Sequence, residues 1–246
     1  MRILITAGGT SEKIDDVRAI TNHSTGQLGC LIAEAFLTQE ITVDYVTTAQ
    51  ALQPAAQEEL TIYTIDDTHS LAEMLDSLLQ QHTYDAVIHS MAVSDFSPVQ
   101  SLSQEQFLDK INQLIVRQQP VTKEDLQLFS ESTQAKETKI SSNTDQLYLV
   151  LNKTPKVIQQ IKQRQPETML IGFKLLVDVP KEELISVAYQ SLQKNQATYV
   201  LANDLTSIHN GQHHGYLVNQ NGEVEAEATS KGQIAQLIVK AVTKHV

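Results

Sequence analysis

The chain has no tryptophan, a single cysteine, six prolines and only 5% aromatic residues in 246. One cysteine, Cys30, excludes an internal disulfide framework and fits a reducing compartment. So few aromatics leave little on which to stack the bases of a single strand. Positive charge is short too: 18 Lys and Arg face 29 Asp and Glu, a net charge of −11 with histidines neutral. Broad nucleic-acid binding wants a basic face, so no nucleic-acid partner is expected, although a few lysines in one cleft suffice for a small anion. No apolar run approaches the roughly 20 residues of a membrane span. The opening Met1-Arg2-Ile3-Leu4-Ile5-Thr6 enters a strand directly, without a signal-peptide pattern. The eight histidines show no metal spacing, and His213-His214 reads as an exposed turn. These absences predict a cytoplasmic protein with no membrane partner and no resident metal.

What is present is an ordinary globular composition, 41% hydrophobic and 19% charged. Apolar, β-rich runs at 2–6, 42–47, 60–65, 85–89, 147–151, 169–173 and 199–202 alternate with helical periodicity at 26–39, 70–81, 154–164, 181–194 and 231–244. Pro155 falls in the first turn of one predicted helix, a position it favours. Near the end, Asn221-Gly222 lies between two short strand patterns, a strong hairpin signal. The alternation predicts an α/β fold: a doubly wound, mostly parallel Rossmann-like sheet with helices on both faces and a C-terminal β-hairpin. One domain over 1–246 is expected. Residues 97–146 break the rhythm, polar and rich in Gln and Ser with one helix near 104–118, and read as a lid or interface excursion.

Ligands of doubly wound folds sit at the carboxyl ends of the strands. After the first strand comes Ala7-Gly8-Gly9-Thr10, which is either a tight turn or a backbone cradle for phosphate. It is neither a dinucleotide fingerprint nor a P-loop. A strand feeding a helix needs about 2–6 connecting residues, yet here the connection runs on through Arg18 and Asn22 to His23-Ser24-Thr25-Gly26-Gln27-Leu28-Gly29. Ser24 or Thr25 would cap the helix that follows, and a capped helix start is also an anion site. After 85–89, small residues precede Asp95, which suits a turn or a ribose hydroxyl. Lys136 and Lys139 precede the strand at 147–151, and Lys153-Thr154-Pro155 follows it. Gly172-Phe173 and Ala202-Asn203-Asp204 end two more strands. Cys30 sits where a small apolar residue packs on a helix.

The segment Gly8-Gly9-Thr10-x-Glu12-x-Ile14-Asp15-x-Val17-Arg18-x-Ile20-Thr21-Asn22-x-Ser24-Thr25-Gly26-x-x-Gly29 resembles the signature of phosphopantothenate–cysteine ligases. The likeness continues in order through residues 91–96, Lys139-Ile140, Lys153-Thr154-Pro155, Gly172-Phe173 and Ala202-Asn203-Asp204. It implies a ligase that joins 4′-phosphopantothenate to L-cysteine through an acyl-nucleotide formed from CTP or ATP, with Mg²⁺ neutralising the triphosphate. The same resemblance implies a homodimer. Met1 opens directly on this signature, so the stand-alone form without flavin is expected. By resemblance Lys139 serves nucleotidyl transfer, with Lys136 its alternative. Asn22 and Arg18 serve the acyl intermediate, with Ser24, Gly26 and Asn203 as further substrate contacts. Gly8, Gly9, Thr10, Ala92, Asp95, Lys153, Thr154, Pro155, Phe173 and Lys194 form the implied nucleotide set. Gln190 stands where the family carries a second lysine beside Lys194. The rival reading is an NAD(P)-dependent reductase, which the architecture would serve. It lacks the glycine fingerprint, and Tyr189 is followed by Gln193 where a Tyr-x-x-x-Lys pair needs lysine.

Overall fold

The computed structural model describes residues 1–130, 140, 143–209 and 212–244. Lys136 and Lys139 lie outside the described residues. The chain divides into two compact units, one of residues 1–10, 23–93 and 156–246, the other of residues 11–22 and 94–155. The excursion expected at 97–146 thus falls inside a larger unit that also takes in part of the first long connection.

The first unit is built on strands β1 (Arg2–Thr6), β4 (Thr42–Thr47), β5 (Leu60–Thr64), β6 (Ala86–His89), β9 (Met169–Leu176), β10 (Tyr199–Asp204), β11 (Gly215–Val218) and β12 (Val224–Ala228). They form one sheet in the order β12-β11-β10-β9-β6-β1-β4-β5. The pairs from β10 to β5 are parallel, and β11 and β12 add an antiparallel hairpin at one edge. Consecutive residues are buried in β1, β4 and β6, which requires cover on both faces. Helices α1 (Gln27–Leu37) and α6 (Lys231–Thr243) supply it on one side, packing Ile32, Phe36, Ile234 and Ile238 against Ile3, Ile5, Val43 and Tyr45. On the other, α2 (Thr68–Gln81), α4 (Val157–Arg164) and α5 (Lys181–Asn195) pack Leu71, Leu75, Ile161 and Leu184 against Leu4, Val46, Val87 and Leu170. The predicted doubly wound sheet with a C-terminal hairpin is the observed one.

Local chemistry explains most element ends and corrects several expectations. Asp67 caps α2 in a capping box with Ser70, and Ser230 caps α6. The start of α1 has no side-chain cap: the N-cap is Gly26, and Ser24 and Thr25 lie before it. Pro155 is not in the first turn of α4, which starts at Val157 after Lys156. His213 is no exposed turn residue. It is 4% exposed, its amide donating to the Thr229 carbonyl at 2.9 Å, and burial pushes its imidazole down to about 4. Cys30 is buried as expected, and burial ahead of the Glu34 carboxylate pushes its thiol up to about 11.

The second unit holds a short hairpin, β2 (Ser11–Lys13) with β3 (Ala19–Thr21), and an antiparallel pair, β7 (Phe96–Ser103) with β8 (Leu147–Lys153). The strand expected at 147–151 therefore exists but does not join the main sheet. Its partner β7 carries no clear strand pattern, being polar and containing Pro98, where the register shifts. Proline is tolerated there because a two-stranded ribbon has only edge strands. Helix α3 (Gln104–Val116) covers one face, with Phe107 stacked on Tyr148 at 4.0 Å between centroids. Its start is set by a capping box between Ser103 and Gln106. The opposite face presents Leu147, Leu149 and Leu151, all exposed.

Candidate active site

Counted along the chain, the six parallel strands lie in the order 3-2-1-4-5-6, so the direction of winding reverses between β1 and β6. Crevices of this kind open where the connections of two neighbouring strands part to opposite faces. Here the two loops leaving β1 and β6 are knitted together by main-chain bonds. The Ser90 amide donates to the Thr6 carbonyl at 3.0 Å, Ala92 to Gly8 at 2.9 Å, and Thr10 back to Ala92 at 3.0 Å. Gly8, Gly9, Thr10 and Ala92, four residues of the expected nucleotide set, are thus brought together on one backbone floor.

Helix α1 is drawn down onto that floor. Gly8 and Gly26 both adopt positive φ, 93° and 72°, which costs glycine nothing. A β-carbon on Gly8 would stand 2.8 Å from Ala51 Cβ, and one on Gly29 only 2.4 Å from Ala7 Cβ. The glycine spacing of the signature is therefore a packing requirement first: it lets α1 begin beside the end of β1. The Gln27 amide donates to Thr25 Oγ1 at 3.4 Å, while the N-cap Gly26 offers no side chain to the amides that follow, which are of the kind that binds anions. Thr10 is fully buried, its hydroxyl 3.3 Å from that of Thr68, so it supports the floor from below.

Phe173 is half-buried on β9 and packs against the α1–α6 side of the core. Asn203, 7% exposed, lies near the carboxyl end of β10, paired with Leu175 and Gly215. Lys194 goes elsewhere. It is in the last turn of α5, and a helix that precedes a parallel strand ends where that strand begins, at the amino end of β10. Counting residues before the strand finds such a lysine but not the end of the sheet it occupies. His89, beyond the sequence reading, closes β6 with its Nδ1 2.8 Å from Thr6 Oγ1, and burial pushes its imidazole down to about 4.

In the second unit, Asp95 and the Lys153–Pro155 segment come together. The Thr154 amide donates to the Asp95 carbonyl at 3.1 Å, and its hydroxyl to the Ser94 carbonyl at 2.6 Å. Asp95, Lys153 and Pro155 are exposed. Asn22 is half-buried just after β3, and Arg18 is held by Asp15, a residue the sequence left unassigned. Arg18 Nε and Nη2 donate to Asp15 Oδ2 at 3.0 and 2.6 Å, while Oδ1 accepts the amides of Val17 and Arg18. The Arg18 guanidinium ahead of every other contact holds the Asp15 carboxyl far below the usual carboxylate range. Glu12, also in the signature, is 2% exposed. Two carboxylates three residues apart are visible in the sequence, but neither their burial nor their partners are.

Comparison with known proteins bears on both units. Residues 1–119 and 130–246 match the family described as the DNA/pantothenate metabolism flavoprotein C-terminal domain. The chain belongs to this family. Among solved members of this family, the DNA/pantothenate metabolism flavoprotein from Streptococcus pneumoniae is 40% identical, each chain covers the other completely, and the TM-score is 0.85. A curated relative, the coenzyme A biosynthesis bifunctional protein CoaBC of Methanocaldococcus jannaschii, is 30% identical over 248 residues, 99% of this chain and 50% of the relative. The chain spans about half the length of the curated relatives it matches. The fold is also that of a Cab2 mutant solved with phosphopantothenate-cysteine, 19% identical with a TM-score of 0.65 over 99% of this chain and 86% of that one.

Proposed function

We propose that the chain is a phosphopantothenate–cysteine ligase of coenzyme A biosynthesis. The observation that carries the reading is the knitted floor of Gly8, Gly9, Thr10 and Ala92 at the reversal of the sheet, built from the start of the signature segment and from residues 91–96 in a family whose relatives work in that biosynthesis.

A carboxylate does not condense with an amine unaided, because its leaving group would be oxide. The proposed route begins with a carboxylate oxygen of 4′-phosphopantothenate attacking the α-phosphorus of CTP. The α–β phosphoanhydride bond breaks and pyrophosphate leaves. The amine of L-cysteine then attacks the acyl carbon of the cytidylate, loses a proton, and expels CMP as the amide forms. Negative charge gathers on phosphoryl and acyl oxygens in both steps, so positioning and fixed dipoles carry the catalysis. In the first unit, main-chain groups at Gly8, Gly9 and Ala92, with Phe173, serve the nucleotide, and Ser24, Gly26 and Asn203 serve the substrate. In the second unit, Asp95, Lys153 and Thr154 serve the nucleotide and Asn22 and Arg18 the acyl intermediate, while Lys139 stabilises the phosphoryl charge. Mg²⁺ enters with the triphosphate as part of the substrate. Among the described residues no three His, Cys, Asp or Glu side chains gather to hold an ion of their own, and a triphosphate ion commonly keeps several waters and takes only one or two carboxylates.

The assembly is a homodimer. The exposed row of Leu147, Leu149 and Leu151 supports this, because a two-stranded sheet is marginal by itself and an apolar row gains from cover by a second copy. Among the described residues no helix is long and apolar enough to cross a membrane, consistent with a cytoplasmic place of action.

Pyrophosphate release tests the reading, measured with 4′-phosphopantothenate, cysteine and Mg²⁺, with CTP and ATP compared. Release that requires phosphopantothenate and runs faster with CTP is expected. No release with either nucleotide overturns the proposal.

A further inference from the structure

The contacts of Asp15 describe a closed ring. Its Oδ2 accepts from Arg18 Nε and Nη2, and also from the Ile140 amide at 3.1 Å. The same Arg18 Nη2 donates to the Ile140 carbonyl at 3.0 Å. Ile140 thus has both main-chain polar groups bound by one ion pair, across more than a hundred residues of sequence. With Val17 and Arg18 amides on Oδ1, the carboxylate accepts five hydrogen bonds while its side chain is fully buried. A buried carboxylate is tolerated only when so satisfied. A loop stabiliser needs only the two Oδ1 bonds, which already close the turn from Asp15 to Arg18. The Oδ2 set reaches further: it fixes the plane of a guanidinium and the backbone next to the lysine at 139. Among the described residues Arg18 Nη1 has no partner, and the side chain is 43% exposed. One edge of the guanidinium is fastened to protein and the remaining nitrogen is available to an anion.

We propose that Asp15 is a positioning residue that orients Arg18, with Nη1 toward an anionic oxygen of the substrate, and ties that orientation to the chain at Ile140. This rests on the ligase reading for the identity of the substrate, but not for the clasp itself. The Asp15 carboxyl stays ionised through the whole range in which enzymes are assayed, since it is held far below its usual range. It is therefore a permanent fixture and not a pH switch.

The test uses the full chain with Asp15→Asn, Arg18→Gln and the double substitution. An amide at position 15 keeps the size but cannot accept on both oxygens. Amide exchange at Ile140 should quicken in Asp15→Asn and in Arg18→Gln, read without any substrate. In pyrophosphate release, misplacing the cation should lower kcat/KM for phosphopantothenate by about a hundredfold. The double variant should be no worse than Arg18→Gln alone, because Asp15 acts through Arg18 and the two losses are not additive. Asp15→Glu, which keeps the charge, should recover part of the loss. Ile140 exchange unchanged in both single variants overturns the clasp. Losses that add in the double variant overturn the action through Arg18. Should the wild type release no pyrophosphate, the ligase reading fails while the exchange result still decides the clasp.

Discussion

Lowering the pH should weaken the folded chain through one identifiable side chain. His89 ends β6 with 8% of its surface exposed, and burial sets its imidazole at about 4. In the unfolded chain the same group titrates near 6.5. Between these values the unfolded chain takes up a proton that the folded one refuses, so stability falls as pH falls through the window from about 6.5 to about 4. At about 1.36 kcal/mol per pH unit, the loss reaches roughly 2 kcal/mol at about pH 5 and roughly 3 kcal/mol once the folded imidazole also protonates. That is a large fraction of a total stability of about 5–15 kcal/mol. His213, also held at about 4, adds a loss of the same sign. The variant His89→Gln removes one contribution and keeps the other. Urea unfolding of both proteins at about pH 7 and about pH 5 isolates it, because other titrating groups are common to the two. The wild type should lose about 2 kcal/mol more than His89→Gln across that interval. Equal losses would refute the reasoning, whatever the variant's stability at neutral pH.

The glycines of the two long helices on the same face should respond in opposite directions. Gly29→Ala gains about 1 kcal/mol of helix propensity but drives a methyl to 2.4 Å from Ala7 Cβ and 2.9 Å from Ser90 Oγ. Overpacking of that kind costs about 1–3 kcal/mol, so the urea midpoint should fall; a rise would mean that α1 can back away freely. Gly232→Ala, with nothing within 4 Å of the added carbon, should raise the midpoint by up to about 1 kcal/mol, and a fall would show an unseen contact. Asp44→Ala strands the Tyr84 hydroxyl and Arg2 Nε, now 2.7 and 2.8 Å from its Oδ2, and should cost about 3 kcal/mol in thermal or chemical unfolding. A cost below about 1 kcal/mol would mean that water replaces the carboxylate. Leu149→Lys should convert dimer to monomer in sedimentation, and a wild type that sediments as a monomer would remove that interface.

Sequence pattern reached the first unit because its physics is local and repetitive. Strands buried on both faces are unbroken apolar runs, and the helices between them carry one apolar side each. The rule that ligands gather at strand carboxyl ends draws notice to the turn at Gly8–Thr10 without separating cradle from tight turn, and Ala92 is named only through the family resemblance. The second unit obeys no such rule. β7 is mostly polar, carries Pro98, and finds its partner in a strand that pattern alone would have placed in the main sheet. Asp15 escapes pattern for a related reason: one of its partners, the Ile140 amide, is distant in sequence, and a carboxylate two residues before a valine carries no mark of that. Lys194 failed differently, since spacing locates a residue along the chain but not which end of its helix faces the ligand. Ser24 and Thr25 were plausible caps by composition, yet the close approach of α1 to β1 demanded glycine at the cap itself.

The floor formed by Gly8, Gly9, Thr10 and Ala92 is main chain, and this bears on how an inhibitor would fare against it. Resistance ordinarily arises by a codon change that deletes or alters a contacting side chain. Amide and carbonyl groups are common to every residue except proline, which lacks the amide, so a compound resting on this floor touches atoms that few such changes remove. The escape left is added bulk, and at Gly8 bulk meets Ala51 at 2.8 Å before it reaches any ligand. A mutant that evaded such a compound there would have to rebuild the loop beneath it first.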